Sequence, residues 1–221
     1  MSVTVITYDR VMGRWEPNAR GRLAEAALKL YAEQGFERTT VAEIAEAAGL
    51  TERTFFRHFT DKREVLFYGT DMARDLLTRT IAESPASASP MDAVGAALES
   101  FGAFFQEDPE RVRQRHAIVS SSTELREREL VKLDVFASGM AATLRERGTP
   151  EPAASLAAEV GMAAFKVAYA RWVAAGPAES GEADTAGDAR PAGGTDEQDL
   201  LRLFRGSLAE LREILADRAP A

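Results

Sequence analysis

Two arginines stand four residues apart, at Arg53 and Arg57, in a stretch that carries Phe55 and Phe59 at the same spacing. Residues four apart lie on one face of an α-helix, so the phenylalanines can be buried while the arginines point outward. A guanidinium group donates to guanine as a bidentate fork, or holds a phosphate. The chemistry that this spacing predicts is therefore recognition of DNA. A solvated charged face on a small helical pair is the alternative interpretation.

The residue types that other chemistries need are scarce. The chain has no cysteine, which excludes disulfides, thiolate metal sites and a cysteine nucleophile. Its two histidines, His58 and His116, do not have the H-E-x-x-H spacing of zinc enzymes. The sequence also lacks a glycine-rich phosphate loop and a nucleophile elbow. We therefore expect no catalytic residue, no metal and no cofactor.

The arginines follow a helix and a glycine turn. An apolar face recurs at helical spacing before the turn, and Thr40 with Glu43 forms a capping-box start. Gly49 supplies the left-handed residue that ends this helix, and Thr51 caps the next one. Two short helices with such a turn form a helix-turn-helix unit, whose second helix enters the DNA major groove. A further capping pattern predicts that Lys62 meets a phosphate in the first turn of another helix.

This stretch resembles the N-terminal domain of the tetracycline-repressor (TetR) family of bacterial transcription regulators. The resemblance runs from about Arg20 to Leu66 and includes Gly35-Phe36 after the first helix and Ala48-Gly49 at the turn. It implies a homodimer with a three-helix DNA-binding head and a helical body that senses small molecules, often apolar or drug-like. Many members carry tyrosine where this chain has Phe56, and that hydroxyl contacts a phosphate. Phe56 cannot make this contact, but its ring can touch a thymine methyl.

The pattern and the resemblance together predict the DNA-contacting residues. Arg53, Thr54 and Arg57 are expected at base edges or the nearby backbone. Thr40, His58 and Lys62 are expected to hold phosphates. The complete predicted set also contains Thr51, Glu52 and Phe56.

The charge balance limits how this head can bind DNA. The chain has 27 basic and 35 acidic residues, a net charge of -8. The first 64 residues hold ten of each, so the whole surplus of acid lies beyond them. A neutral head still binds DNA if its positive charges share one face, which predicts modest non-specific affinity and reliance on specific contacts plus dimerisation. The candidates for that face are Arg20, Arg22, Arg53, Arg57, Lys62 and Arg63.

We predict an all-α chain with an N-terminal helix-turn-helix head and a C-terminal ligand-binding and dimerisation body. A flexible arm at 1–17 precedes a head at 18–66, whose last helix continues as a linker to about residue 83. The body occupies 84–221 and contains an acidic, Gly- and Pro-rich flexible loop at 176–195. The arm either reaches a minor groove or is a loose leader, and the loop is either regulatory or a plain linker.

The body helices carry aromatic side chains at helical spacing, expected to surround a cavity, although an ordinary core has the same pattern. Arg115 and His116 are the polar exceptions, and each either orients a ligand or bonds to another helix. The last two helices are expected to form the dimer surface, with burial inside one subunit as the alternative. The predicted ligand-contacting residues are Phe101, Phe105, His116, Phe136, Met140, Phe165, Tyr169 and Trp172.

The sequence therefore predicts a ligand-responsive, homodimeric repressor that a small molecule releases from a palindromic operator. A helical protein-interaction module that has lost specific DNA binding is the alternative. No apolar run is long enough to span a bilayer, and the start lacks a signal-peptide pattern. We accordingly expect a cytoplasmic protein without a membrane partner. An enzyme acting on small molecules would require turnover, which we do not expect.

Overall fold

The structure is a computed structural model that describes residues 19–176 and 199–216, and over these residues the fold is all-α, as predicted. The predicted arm at 1–17 and nearly all of the predicted loop at 176–195 lie outside the described residues. None of the described helices is long and apolar enough to cross a membrane. The helices are α1 Ala19–Gln34, α2 Val41–Ala47, α3 Glu52–His58, α4 Thr70–Glu83, α5 Pro90–Glu107, α6 Pro109–Ser121, α7 Thr123–Glu146, α8 Ala153–Ala174 and α9 Leu200–Ala216.

The chain divides into two compact units. The head unit comprises the residues up to Tyr68 together with Ala117–Leu125, and the body unit comprises Gly69–His116 and the residues from Arg126 onward. In the head unit, α1, α2 and α3 enclose a core whose central side chains are fully buried. These are Leu23, Ile44 and Phe55, joined by Ile118, Val119 and Leu125.

Local hydrogen bonds form the helix-turn-helix as the sequence predicts. At the start of α2, the backbone N–H of Thr40 donates to the Glu43 carboxylate at 2.7 Å, and the Glu43 N–H donates to the Thr40 hydroxyl at 3.3 Å. This reciprocal pair is a capping box. At the end of α2, Gly49 has φ +65°, and the N–H of Leu50 donates back to the Ala45 carbonyl at 2.8 Å. The chain therefore leaves α2 through a Schellman-type stop that requires no long-range contact.

The prediction of one continuous helix from about residue 62 to 83 is wrong. The chain instead forms a short 3-10 helix, Glu64–Phe67, and α4 begins separately at Thr70. Gly69 between them takes φ +93°, a left-handed conformation that breaks helical continuity. Val65, Leu66 and Phe67 are all buried, and three consecutive buried side chains cannot share one face of an α-helix.

The body unit is built on close packing of α5, α8 and α9. Leu98, Trp172 and Phe204, one from each helix, are among its largest fully buried side chains. Gly161 of α8 lies so close to α5 that a Cβ at this position would collide with Val94. A small residue here lets the two helix backbones approach each other.

One face of α8 is apolar and yet exposed. Leu156 is 60% exposed and Val167 is 52% exposed, although the sequence pattern alone places both among the apolar positions of the helix. Residues spaced by four and three share a face of a helix, so these side chains form one strip along α8. The α8 strip, none of whose residues is buried in the described protomer, consists of Leu156, Val160, Ala163, Val167, Ala170 and Ala174.

Candidate functional site

The outward face of α3 has the arrangement that the spacing predicts. Phe55 is fully buried and Phe59 nearly so, while Arg53, Phe56 and Arg57 are exposed. We call these three exposed residues the recognition face. Neither arginine makes a hydrogen bond or an ion pair with any residue in the described parts of the chain. Both guanidinium groups can therefore bind an external partner without breaking an internal contact.

Phe56 is an exposed aromatic ring on the recognition face. It is 55% exposed, and its centroid lies 5.4 Å from that of Phe55 in an edge-on arrangement of 80°. This contact with a buried ring restricts the orientation of Phe56. An apolar ring beside two arginines is suited to a thymine methyl group and unsuited to a phosphate.

The hydroxyl groups of the predicted set hold the helix ends. The Thr51 hydroxyl accepts from the N–H of Thr54 at 3.2 Å and caps α3. The Thr40 hydroxyl donates to the Glu43 carboxylate at 2.7 Å, so its proton is engaged while the capping box is intact. Glu52 is exposed in the first turn of α3. These positions set where α2 and α3 begin, and their contacts with DNA remain predictions.

Lys62 does not have the role that the sequence predicts. Its ammonium group donates to the carbonyl oxygens of Phe36, Glu37 and Thr39 at 2.8, 3.1 and 3.0 Å. The Tyr31 hydroxyl donates to the Lys62 carbonyl at 2.6 Å from the other side. An ammonium has three N–H donors, so none remains for a phosphate, and the predicted phosphate contact is wrong for this arrangement. Lys62 instead fastens the loop between α1 and α2.

We expect Lys62→Met to destabilise the head unit by about 2–3 kcal/mol, because three backbone carbonyl groups of the α1–α2 loop lose a charged hydrogen-bond donor. Hydrogen exchange should quicken in α2, which follows the fastened loop. Lys29→Met is the matched control, because Lys29 is exposed and makes only a 3.9 Å pair with Glu33. Equal protection of α2 in the two variants would show that the Lys62 contacts do not hold the loop.

Three other basic side chains of the predicted positive face are also engaged inside the head unit. The Arg22 guanidinium donates to the Ala48 carbonyl at the end of α2. Arg63 pairs with the carboxylates of Asp61 and Glu124. Arg20 lies over an aromatic ring, 5.3 Å from the centroid of Phe59. Arg53 and Arg57 are therefore the side chains of the predicted positive face that make no hydrogen bond, ion pair or ring contact with a described residue.

The backbone donors near Lys62 are taken as well. The Asp61 carboxylate accepts from the N–H of Arg63 at 2.8 Å and from that of Glu64 at 3.3 Å. The hydrogen bonds from Arg63 hold the pKa of Asp61 below its ordinary value. A carboxylate already occupies this helix start, so a phosphate is not expected there.

His58 lies half-buried at the end of α3. Its Nε2 is enclosed and has no hydrogen-bond partner among the described residues. Burial lowers the pKa of His58, and the charges of Arg57 and Arg20 lower it further. The imidazole is therefore neutral at physiological pH. Its predicted phosphate contact would have to be a neutral hydrogen bond.

The depressed pKa of His58 predicts a pH dependence of the head unit. His58 binds a proton more tightly in the unfolded chain than in the folded head. The contribution of His58 to the free energy of unfolding is therefore fully present above pH about 6.5 and is lost as the pH falls below that value. We expect His58→Gln to reduce the loss of unfolding free energy between neutral and mildly acidic pH. Chemical denaturation across this range measures the slope, and identical slopes in the two proteins would contradict the assignment.

The predicted ligand-contacting residues of the body unit come together around one aromatic cluster. Phe101 lies at the centre, with its centroid 4.8 Å from that of Phe105, 5.6 Å from Phe136 and 5.4 Å from Phe165. Tyr169 continues the cluster at 5.5 Å from Phe105. The remaining three lie as follows: His116 is 5.4 Å from the Tyr169 ring, Trp172 is 6.0 Å from it, and Met140 is fully buried in the same core.

This cluster has a buried part and a partly open part. Phe136, Phe165 and Trp172 are buried, whereas Phe105 and Tyr169 are only half-buried. Burial raises the pKa of Tyr169 to about 12, so its hydroxyl remains protonated. The half-buried members are the ones that a ligand can reach, and the buried ones serve the core.

Arginines on α6 add charge to the edge of this cluster. Arg115, which the sequence singles out, pairs with Glu129 at 2.8 Å. Arg113, which the sequence analysis misses, lies with its guanidinium carbon 4.4 Å from the centroid of Trp172. Residues on α6 and α8 are distant in sequence, so no local signal brings this arginine to a tryptophan.

The part of the chain that forms the helix-turn-helix matches a known protein family. Residues 23–68 match the family described as bacterial regulatory proteins, tetR family. This range covers α2, α3 and most of α1, together with the 3-10 helix that follows. Over these residues the chain is similar to the bacterial regulatory proteins of the tetR family.

Individual curated proteins are similar to the same part of the chain. The transcriptional regulator TcmR of Streptomyces glaucescens is 37% identical over 81 residues, which cover 37% of this chain and 36% of the relative. Alignments with the first curated relatives span from about a third to three fifths of their length.

Two solved structures share the fold over most of both chains. SmeT of Stenotrophomonas maltophilia, solved with triclosan, has a TM-score of 0.55 and 20% identity, covering 87% of this chain and 90% of SmeT. FadR of Thermus thermophilus, a repressor solved with lauroyl-CoA, has a TM-score of 0.53 and 21% identity, covering 91% and 98%. At such identities the similarity shows the fold alone.

Proposed function

We propose that this chain is a homodimeric transcriptional repressor that reads a palindromic operator through the recognition face of α3. The observation that carries the proposal is the pair of exposed arginines, four residues apart, which make no hydrogen bond or ion pair with the described parts of the chain. Burial of Phe55 behind them fixes which side of α3 faces outward. A location in the cytoplasm, where bacterial DNA lies, follows from this proposal.

Arg53 and Arg57 are assigned to guanine edges or adjacent phosphates, and Phe56 to a thymine methyl. Thr54 is half-exposed beside them and supplies a further short contact. Because Lys62, Arg22 and Arg63 are engaged internally, few side-chain donors are left to contact phosphates. We therefore expect weak non-specific binding and a shallow dependence of affinity on salt.

The α8 strip is assigned to the contact between two copies of the chain. It presents about five turns of apolar and small side chains, and Ile214 of α9 is a further exposed apolar residue. Small residues let helices of two protomers pack closely, and a two-fold axis turns α8 and α9 into a four-helix bundle. Two recognition helices would then address half-sites about one DNA turn or more apart.

The body unit is assigned to ligand sensing. Its half-buried aromatic cluster fits a planar or apolar molecule, and the structural relatives were solved with triclosan and with lauroyl-CoA. A ligand that weakens operator binding by some factor must itself be bound more weakly by the operator-bound protein, by the same factor. The ligand need only bind the two states with different affinities.

Selection of binding sites from a random DNA library tests the proposal directly. We expect an inverted repeat to be enriched, and mobility shifts to show binding to the full repeat far tighter than to one half-site. Enrichment of no sequence, with only salt-sensitive non-specific binding, would instead support the protein-interaction module as the function.

A further inference from the structure

Arg113 of α6 is a half-buried cation without a counterion in the described parts of the chain. Its guanidinium lies over the indole ring of Trp172 at 4.4 Å, and its Nε is enclosed without a hydrogen-bond partner. Neither a carboxylate nor a carbonyl of the described residues accepts a hydrogen bond from this side chain. None of the five N–H donors of the group is therefore used by a described residue.

Arg115, two residues further along α6, is also half-buried, but its guanidinium has a carboxylate partner. It pairs with Glu129 at 2.8 Å, and each of these two side chains is 28% exposed. A charge removed from water without a partner is costly, and a cation–π contact recovers only about 0.5–2 kcal/mol. The site around Arg113 is therefore electrostatically incomplete, and an anion would complete it.

Stacking leaves the edge of the Arg113 guanidinium available. The indole ring occupies a face of the planar group, whereas a carboxylate binds a guanidinium in the plane of its N–H bonds. Both contacts fit at once. Because the side chain is only half-buried, its donors beyond Nε remain within reach of a ligand.

Aromatic surface adjoins this cation. The Tyr169 ring lies 6.0 Å from that of Trp172 at a tilt of 36°, and the Phe105 ring lies 5.5 Å from Tyr169. Tyr169 makes no hydrogen bond with the described residues through its hydroxyl, which supplies a second unused donor. The edge of the cluster thus combines flat apolar rings with two donors and one positive charge.

We propose that the body unit binds a flat aromatic acid, with its carboxylate on Arg113 and its rings against the half-buried Phe105 and Tyr169. This inference rests on the proposed function, because it names the effector class of that regulator. A neutral ligand of the same shape would leave the charge of Arg113 uncompensated. An aliphatic acid would lack the stacking contacts.

Calorimetric titration at neutral pH tests this with benzoate, naphthoate and anthroate, each paired with its neutral amide, and with decanoate as the aliphatic acid. We expect at least one aromatic acid to bind about tenfold or more tightly than its amide and more tightly than decanoate. Arg113→Met should remove that preference by weakening the acid about ten- to a hundredfold while leaving the amide nearly unchanged. Arg113→Lys should restore part of it, because it keeps the charge and loses the fork.

Arg111→Met is the matched control, because Arg111 is exposed on the same helix and the substitution removes the same charge. It should leave the preference for the acid intact. The inference is overturned if no aromatic acid binds better than its amide, if decanoate binds best, or if Arg113→Met and Arg111→Met behave alike.

Operator binding separates this result from the proposed function. If the protein binds its selected operator but no aromatic acid, the effector class is wrong and the regulator stands. If an aromatic acid binds in the expected manner and no operator can be selected, the body site stands and the DNA-binding proposal fails.

Discussion

Replacing Arg53 and Arg57 together by alanine is expected to lower affinity for the selected operator by about three orders of magnitude or more. Each bidentate arginine–guanine contact contributes about 1–3 kcal/mol, and both protomers lose two of them. Binding to unrelated DNA should fall far less, so the ratio of specific to non-specific affinity should collapse. Fluorescence anisotropy with both duplexes at fixed salt measures that ratio.

The control for loss of charge is the double variant Arg79→Ala with Arg111→Ala. Both side chains are exposed on body helices, so this variant loses the same net charge without touching α3. It should bind the operator almost as wild type does. Folding of the head should survive the Arg53 and Arg57 substitutions, because both side chains are exposed and neither makes a hydrogen bond or ion pair with the described residues. An unchanged ratio of specific to non-specific affinity in the Arg53 and Arg57 variant would show that the recognition face does not read the operator.

Leu156→Glu together with Val167→Glu is expected to convert the dimer to monomers. Each substitution removes apolar surface that we assign to the interface, about 1.5–3 kcal/mol for a fully buried side chain, and the two-fold axis doubles the loss. Burying four carboxylates in the contact adds a further penalty. Sedimentation equilibrium should show the mass falling from twice the chain mass to 24.0 kDa. Affinity for the full inverted repeat should drop to that for one half-site.

The chain offers a closely matched control for this experiment. Leu130 and Val131 of α7 are 61% and 60% exposed, and they provide the same two residue types away from the α8 strip. Leu130→Glu with Val131→Glu should leave the dimer intact. If this pair dissociates the dimer and the α8 pair does not, the interface has been placed on the wrong helices.

Local chemistry explains why the helix-turn-helix could be predicted from the sequence. The capping box at Thr40, the left-handed Gly49 and the Thr51 cap all act within a few residues, so their types and spacing specify the geometry. The recognition face follows from the four-residue spacing of Phe55 and Phe59 by the same logic. In the body, α5 and α6 each begin with a proline, Pro90 and Pro109, a residue type that favours the first position of a helix.

Contacts between distant residues account for what the sequence missed. A lysine after a predicted helix-turn-helix looks available for a phosphate, and only the folded head brings the three carbonyls of the α1–α2 loop to Lys62. Residues 117–125 have a body-like helical pattern, but Ile118, Val119 and Leu125 are buried in the head core. Arg147 likewise donates to the carbonyls of Ala82, Ser84 and Pro85, more than 60 residues earlier in the chain.

The central claim is that the α3 arginines read base edges, and operator DNA with deazaguanine at single positions tests it most directly. Deazaguanine lacks the N7 acceptor to which an arginine fork donates and keeps base pairing intact. We predict that substitution at one or two guanines of each half-site weakens the wild-type protein about tenfold, and that the same substitutions hardly affect the corresponding alanine variant. Equal losses in the wild-type and alanine proteins at every guanine would contradict the claim.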